Sequence, residues 1–121
     1  MTAVAQNSVS LLAMAGIHDT TVIDLVTHDP ALDEYALIMT ETRPWTDSPE
    51  QLSQLREKIN NYAMFAVDEG MTRAYPQAVG KPLRIQLDCA SPPSAQASAL
   101  IEQASRRLAD YKIRFIVNVL S

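Results

Sequence analysis

A single cysteine, Cys89, excludes an intramolecular disulfide and fits a reducing compartment. Glycine is also scarce, at three in 121 residues, so a glycine-rich loop that cradles phosphate is missing. Basic residues are thinly spread. Of ten Lys and Arg only Arg106 and Arg107 adjoin, and the net charge is -4, so the cation density that nucleic acid or an anionic membrane needs is absent. No zinc spacing, G-x-S-x-G or H-E-x-x-H motif occurs. The run Val9–Ala15 is too short to span a bilayer. It carries an A-x-A pattern, but no Lys or Arg precedes it, which argues against a secretory signal. These absences point to a cytoplasmic chain without nucleic acid, membrane, metal or cofactor as partner.

What is present is globular. At 47% hydrophobic and 20% charged, 121 residues form one domain with a core that needs no staple. Residues 1–20 read as a loose or docked N-terminal arm and residues 21–121 as a single domain. Thr21–Thr27 is β-branched and apolar apart from Asp24, hence a strand. His28–Asp33 carries Asp-Pro turn chemistry, and Glu34–Thr40 forms a second strand, most simply paired with the first as an antiparallel hairpin.

The stretch Thr42-Arg43-Pro44-Trp45-Thr46-Asp47-Ser48-Pro49-Glu50-Gln51 then starts a helix. Ser48 is the N-cap, Pro49 the first helical residue, and Gln51 completes an S-x-x-Q capping box. Leu52, Leu55, Ile59, Tyr62, Ala63 and Ala66 recur on one helical face. Gln54, Glu57, Lys58, Asn61 and Asp68 are expected on the wet face, and Gly70 at a left-handed C-cap. Met71–Tyr75 adds a short turn that Pro76 stops. In the third strand Leu83, Ile85, Leu87 and Cys89 alternate strictly with Arg84, Gln86 and Asp88, so one face alone is buried. Ser94 caps a helix with apolar face Ala97, Leu100, Ile101, Ala104, Leu108 and Tyr111, and Ile113–Leu120 is the last strand. The order ββαβαβ, with two right-handed crossovers on one face, predicts an α+β two-layer sandwich: a four-stranded mixed sheet with two helices on one face. Strand order 1-2-3-4 is the first expectation, with insertion of strand 1 beside strand 3 the alternative.

Two surfaces can carry function. The second and third strands end at the same sheet edge, and each runs into a helix N-terminus, a place that favours anions. Arg43, Trp45, Ser48, Ser91 and Ser94 would line that edge and receive a small anionic metabolite. The competing reading gives the same residues purely structural work as caps and core cover. The other surface is the outward sheet face, with Arg84, Gln86, Asp88, Arg114, Ile116, Asn118 and Leu120. Arg84, Gln86, Arg114, Ile116 and Asn118 are its candidate interface for a protein partner or for self-association. No catalytic residue is assigned. Cys89 shares the inward parity of Leu83, Ile85 and Leu87, where a thiol is inert. His18-Asp19 and His28-Asp29 flank the first strand and match no metal-ligand spacing.

Glu41-Thr42-Arg43-Pro44-Trp45, Leu55–Tyr62, Tyr75-Pro76, Gly80-Lys81-Pro82 and Arg84–Asp88 together resemble a small bacterial family of uncharacterised proteins. The resemblance covers roughly residues 21–119 and implies a single-domain, cytoplasmic bacterial protein. It implies no catalytic residue and no substrate. The expectation is therefore a non-enzymatic binding or interaction module, with a small-ligand protein or enzyme working at Arg43 and Trp45 as the alternative.

Overall fold

The computed structural model describes residues 16–120. Strands β1 (Leu25–Asp29) and β2 (Glu34–Glu41) precede helices α1 (Pro49–Val67) and α2 (Gly70–Ala74) and a 3-10 turn at Pro76–Ala78. Strand β3 (Leu83–Cys89), helix α3 (Ala95–Ala109) and strand β4 (Arg114–Val119) complete the domain. The sheet runs β1-β2-β3-β4; β1 is antiparallel to β2, and the other neighbours are parallel. The expected α+β architecture and strand order are both present.

Alternation explains the layers. Tyr35, Leu37, Met39, Ile85, Leu87 and Cys89 meet Leu55, Ile59, Phe65, Ile101, Ala104 and Leu108 in one core. Met71 and Ala78 join it, so α2 and the 3-10 turn lie on the same side as the two long helices. The central strand β2 is buried on both faces apart from Thr40. Both helix starts carry the caps that the sequence specifies. Ser48 Oγ accepts from the Gln51 amide and Ser94 Oγ from the Ala97 amide, worth about 1 kcal/mol each.

Three local expectations are corrected. β1 begins at Leu25 and runs through His28 and Asp29, because the Asp24 carboxylate replaces a strand partner at the Thr40 amide, 3.1 Å away. Gly70 is not a left-handed cap. Asp68 is the C-cap of α1, and Gly70 opens α2, where a Cβ would stand 2.7 Å from Phe65. Tyr111 lies beyond α3 and is exposed rather than part of its apolar face. The turn between β1 and β2 is held by Asp33, at φ 51°, whose carboxylate meets His28 and Lys81. Those hydrogen bonds hold its carboxyl below the usual range. Residues 1–15 of the expected arm lie outside the described residues. Within the remainder, Ile17 is fully buried and its amide bonds the Thr40 carbonyl at 3.0 Å.

Candidate functional site

At the strand-end edge, the Arg43, Trp45, Ser48 and Ser94 side chains proposed for a ligand are already bonded within the fold, and Ser91 contributes its backbone carbonyl. Glu41, at the end of β2, is 2% exposed. Arg43 Nε and Nη2 donate to its two oxygens at 2.9 and 2.7 Å, and the Arg43 amide adds a third bond at 2.9 Å. Arg43 also donates to Gln54 Oε1 at 2.9 Å. The bond to Glu41 raises the pKa of an already strong base. Half-buried Trp45 donates from Nε1 to the Ser91 carbonyl at 3.0 Å. Ser94 donates to Asp47, which adopts φ 58°. Trp45 with Ser91, and Asp47 with Ser94, thus clasp the two loops together, while Ser48 works as the N-cap.

Gln51 departs from a complete capping box. Its Oε1 accepts from the Thr46 amide at 2.8 Å, and its Nε2 donates to Glu41 and to the Pro44 carbonyl. A buried carboxylate at Glu41 needs donors, and Gln51 supplies one from the first turn of α1. Cys89, close by, is fully buried, and burial pushes its thiol pKa up, as its inward parity foretold. Among the described residues every buried side-chain nitrogen and oxygen has a partner, so none at this edge is left unpaired for an incoming anion.

The second candidate surface is the outer side of the sheet, opposite the helices. Strand register places Thr27, Ala36, Arg84 and Arg114 in one row, and Leu25, Ile38, Gln86 and Ile116 in the next. Glu34 accepts from Arg84 at 2.8 Å and from Arg114 at 2.6 Å. Burial alone would raise the Glu34 carboxyl, but the two arginines outweigh it and hold its pKa low. Gln86 donates to Asp88 at 2.7 Å, and Asn118 donates to the same oxygen at 3.2 Å. The five proposed interface residues therefore share one ordered face, with Ile116 half-buried among them.

The most organised polar cluster was not legible in the sequence. Lys58, expected on the wet side of α1, is 0% exposed. Its Nζ donates to the Asp19 and Val22 carbonyls at 2.6 Å each and to Asp24 Oδ1 at 2.9 Å. Tyr62 donates from its hydroxyl to the Ile38 carbonyl at 2.7 Å and accepts from the Asp24 amide at 2.7 Å. Burial drives the Tyr62 pKa far up, so it acts as a neutral bridge. Asn61 donates to the Thr20 carbonyl, and Glu57 accepts from the Thr20 hydroxyl. The available signal was spacing: Gln51, Leu55, Lys58, Tyr62 and Phe65 form one stripe at three-and-four intervals, and all are buried. A groove of about 330 Å³ between α1 and α3, lined in part by Met64, Val67 and Tyr111, was also unforeseen.

Among the described residues, no helix is long and apolar enough to cross a membrane, and no group of three metal-ligating side chains gathers. No curated protein and no solved structure shows significant similarity to the chain. Residues 15–121 match a family of unknown function, DUF6572, and the chain belongs to that family.

Proposed function

We propose that this chain is a non-catalytic protein-interaction module of the bacterial cytoplasm, working through the outer face of its sheet. The observation that carries this reading is the one-sidedness of the fold: the helices that share the core all lie on one side. The opposite side presents Ile116 beside Arg84, Gln86, Arg114 and Asn118, the four polar residues pre-ordered by hydrogen bonds to Glu34 and Asp88. Polar groups already fixed by neighbours lose little freedom on docking, which favours binding. A protein partner, a second copy included, fits a broad and shallow face of this kind better than a small molecule does, since small ligands favour concave sites. The alternative ligand site at Arg43 and Trp45 has weaker support, because the guanidinium is already shared by Glu41 and Gln54.

The test places a photo-crosslinking amino acid at Gln86, in the middle of the face, and for comparison at exposed Met64 on the helix layer. The reading expects a discrete protein adduct from position 86 and none of that size from position 64. Equal, diffuse labelling from both positions would count against it.

A further inference from the structure

The two edges of the sheet are finished differently. Along β2, the amide of Tyr35 bonds the Pro82 carbonyl and the Glu41 carbonyl accepts from Ala90, so odd-numbered residues face β3 and even-numbered ones face β1. At the β1 edge the continuous ladder ends at Leu25, with Ile23 beyond it as an isolated bridge residue. There the backbone groups of β2 are met from within the chain: the Thr40 amide by the Asp24 carboxylate, the Thr40 carbonyl by the Ile17 amide and the Ile38 carbonyl by the Tyr62 hydroxyl. Asp29 lies within β1 and Pro30 follows it, and both a charge and a proline blunt an edge.

β4 carries none of these protections beyond its first residue. The Leu120 amide donates to the Cys89 carbonyl at 2.8 Å, which fixes the parity: Asn118, Ile116 and Arg114 direct their backbone groups at β3. Phe115, Val117 and Val119 direct theirs away from the sheet, and among the described residues nothing meets them. The strand pairs with β3 over six consecutive positions without a bulge, from Arg114 to Val119. After Arg114 it reads Phe-Ile-Val-Asn-Val-Leu, with no charge and no proline. A regular apolar edge of this kind is a template for another strand.

We propose that a second copy of the chain adds to this edge, β4 against β4, antiparallel about a two-fold axis at Val117. The proposal rests on the interaction-module reading, but it uses the edge of the sheet and not its face. In that register Val117 faces its own counterpart, and Phe115 faces Val119 of the other copy, twice. These are the hydrogen-bonded pairs of an antiparallel ladder, each exchanging two bonds, so every open backbone group of Phe115, Val117 and Val119 is used. Phe115 with Val119 is an aromatic and β-branched pair, a favourable cross-strand combination. Ile116 faces Asn118, and Arg114 faces Leu120, so no charge opposes its own copy across the axis. A two-fold perpendicular to the sheet keeps both helix layers on one side, which makes the outer face continuous across eight strands. The contact is isologous, the commonest symmetry of soluble oligomers.

The test is sedimentation of the full chain across a concentration series, with Val117→Pro and Val119→Pro beside it. Proline at either position removes an N–H that faces away from β3, so the ladder within the fold is left intact. Circular dichroism verifies that both variants fold, and exposed Val119 provides the second test should the half-buried Val117 variant fail. The expected result is a dimer in the parent chain, with self-association weakened about tenfold or more in each variant, as loss of bonds plus a steric block requires. The Phe115, Val117 and Val119 amides should slow their hydrogen exchange as concentration rises. A dimer that survives both prolines overturns the edge proposal while leaving the interaction module standing. So does a strict monomer that still yields a discrete adduct from position 86. A strict monomer with no such adduct overturns both.

Discussion

The first and last strands sit at opposite edges of one sheet, and their ends are finished differently. At the β1 edge, polar side chains from α1 take over where pairing ends. Lys58 gathers two carbonyls and a carboxylate, and Tyr62 bridges an amide to a carbonyl. At the β4 edge the ladder continues to its end and leaves Phe115, Val117 and Val119 without partners among the described residues. The stretch of β2 that β1 leaves uncovered is closed by chemistry within the chain; the edge of β4 is regular, apolar and open. All three donors of Lys58 are used on structure, so the buried ion pair ties α1 to the end of β1.

The sharpest way to break the closed edge is Lys58→Met. It strands Asp24 without its cation and orphans the Asp19 and Val22 carbonyls, so a loss of about 3–5 kcal/mol is expected in urea unfolding. Arg114→Ala, at an exposed partner of Glu34, should cost under about 1 kcal/mol by the same measurement. Parity along β4 gives the next contrast. Ile116→Pro removes an amide that faces β3 and should cost about 2–3 kcal/mol, whereas Val117→Pro should cost about 1 kcal/mol or less. Equal losses at the two positions would show that the open parity is wrong.

Tyr62→Phe keeps the ring in the core but leaves the Asp24 amide and the Ile38 carbonyl less satisfied, for about 2 kcal/mol in thermal or urea unfolding. The smallest effect concerns pH. The Glu34 carboxyl is held below its ordinary 4.5, so its contribution is fully present above that value and disappears as pH falls through the lowered one. Glu34→Gln should therefore remove part of the acid sensitivity seen in unfolding curves collected from neutral to acidic pH.

Much of the fold was legible because its signals are local. Alternation in Leu83–Cys89 marked β3 and its buried side, and Ser48-Pro49 and Ser94 marked the helix starts. The outward parity of Arg84, Gln86, Arg114, Ile116 and Asn118 followed from the same alternation. Lys58 reads as a wet-face residue because its charge is a local signal, whereas its three partners lie 34 to 39 residues away in sequence. The register of β1 was displaced for the same reason: whether Asp24 pairs as backbone or caps with its carboxylate depends on a lysine from α1. Gly70 resembled a cap in sequence, and the close approach of Phe65 is a tertiary fact. At the strand-end edge the residue types were right for a ligand, but Glu41, buried beneath Arg43, gave no sequence signal of its role.

Residue-resolved amide exchange across both edges tests the comparison most directly. With the end of β1 closed and the edge of β4 open, the Asp24 and Thr40 amides exchange slowly at every protein concentration, because Tyr62 and Asp24 hold them from within the chain. The Phe115, Val117 and Val119 amides exchange quickly in dilute solution and slow as the protein is concentrated, while those of Ile116 and Asn118 stay slow throughout. Odd and even amides of β4 that exchange alike in dilute solution, or odd ones that ignore concentration, would contradict that contrast between the edges.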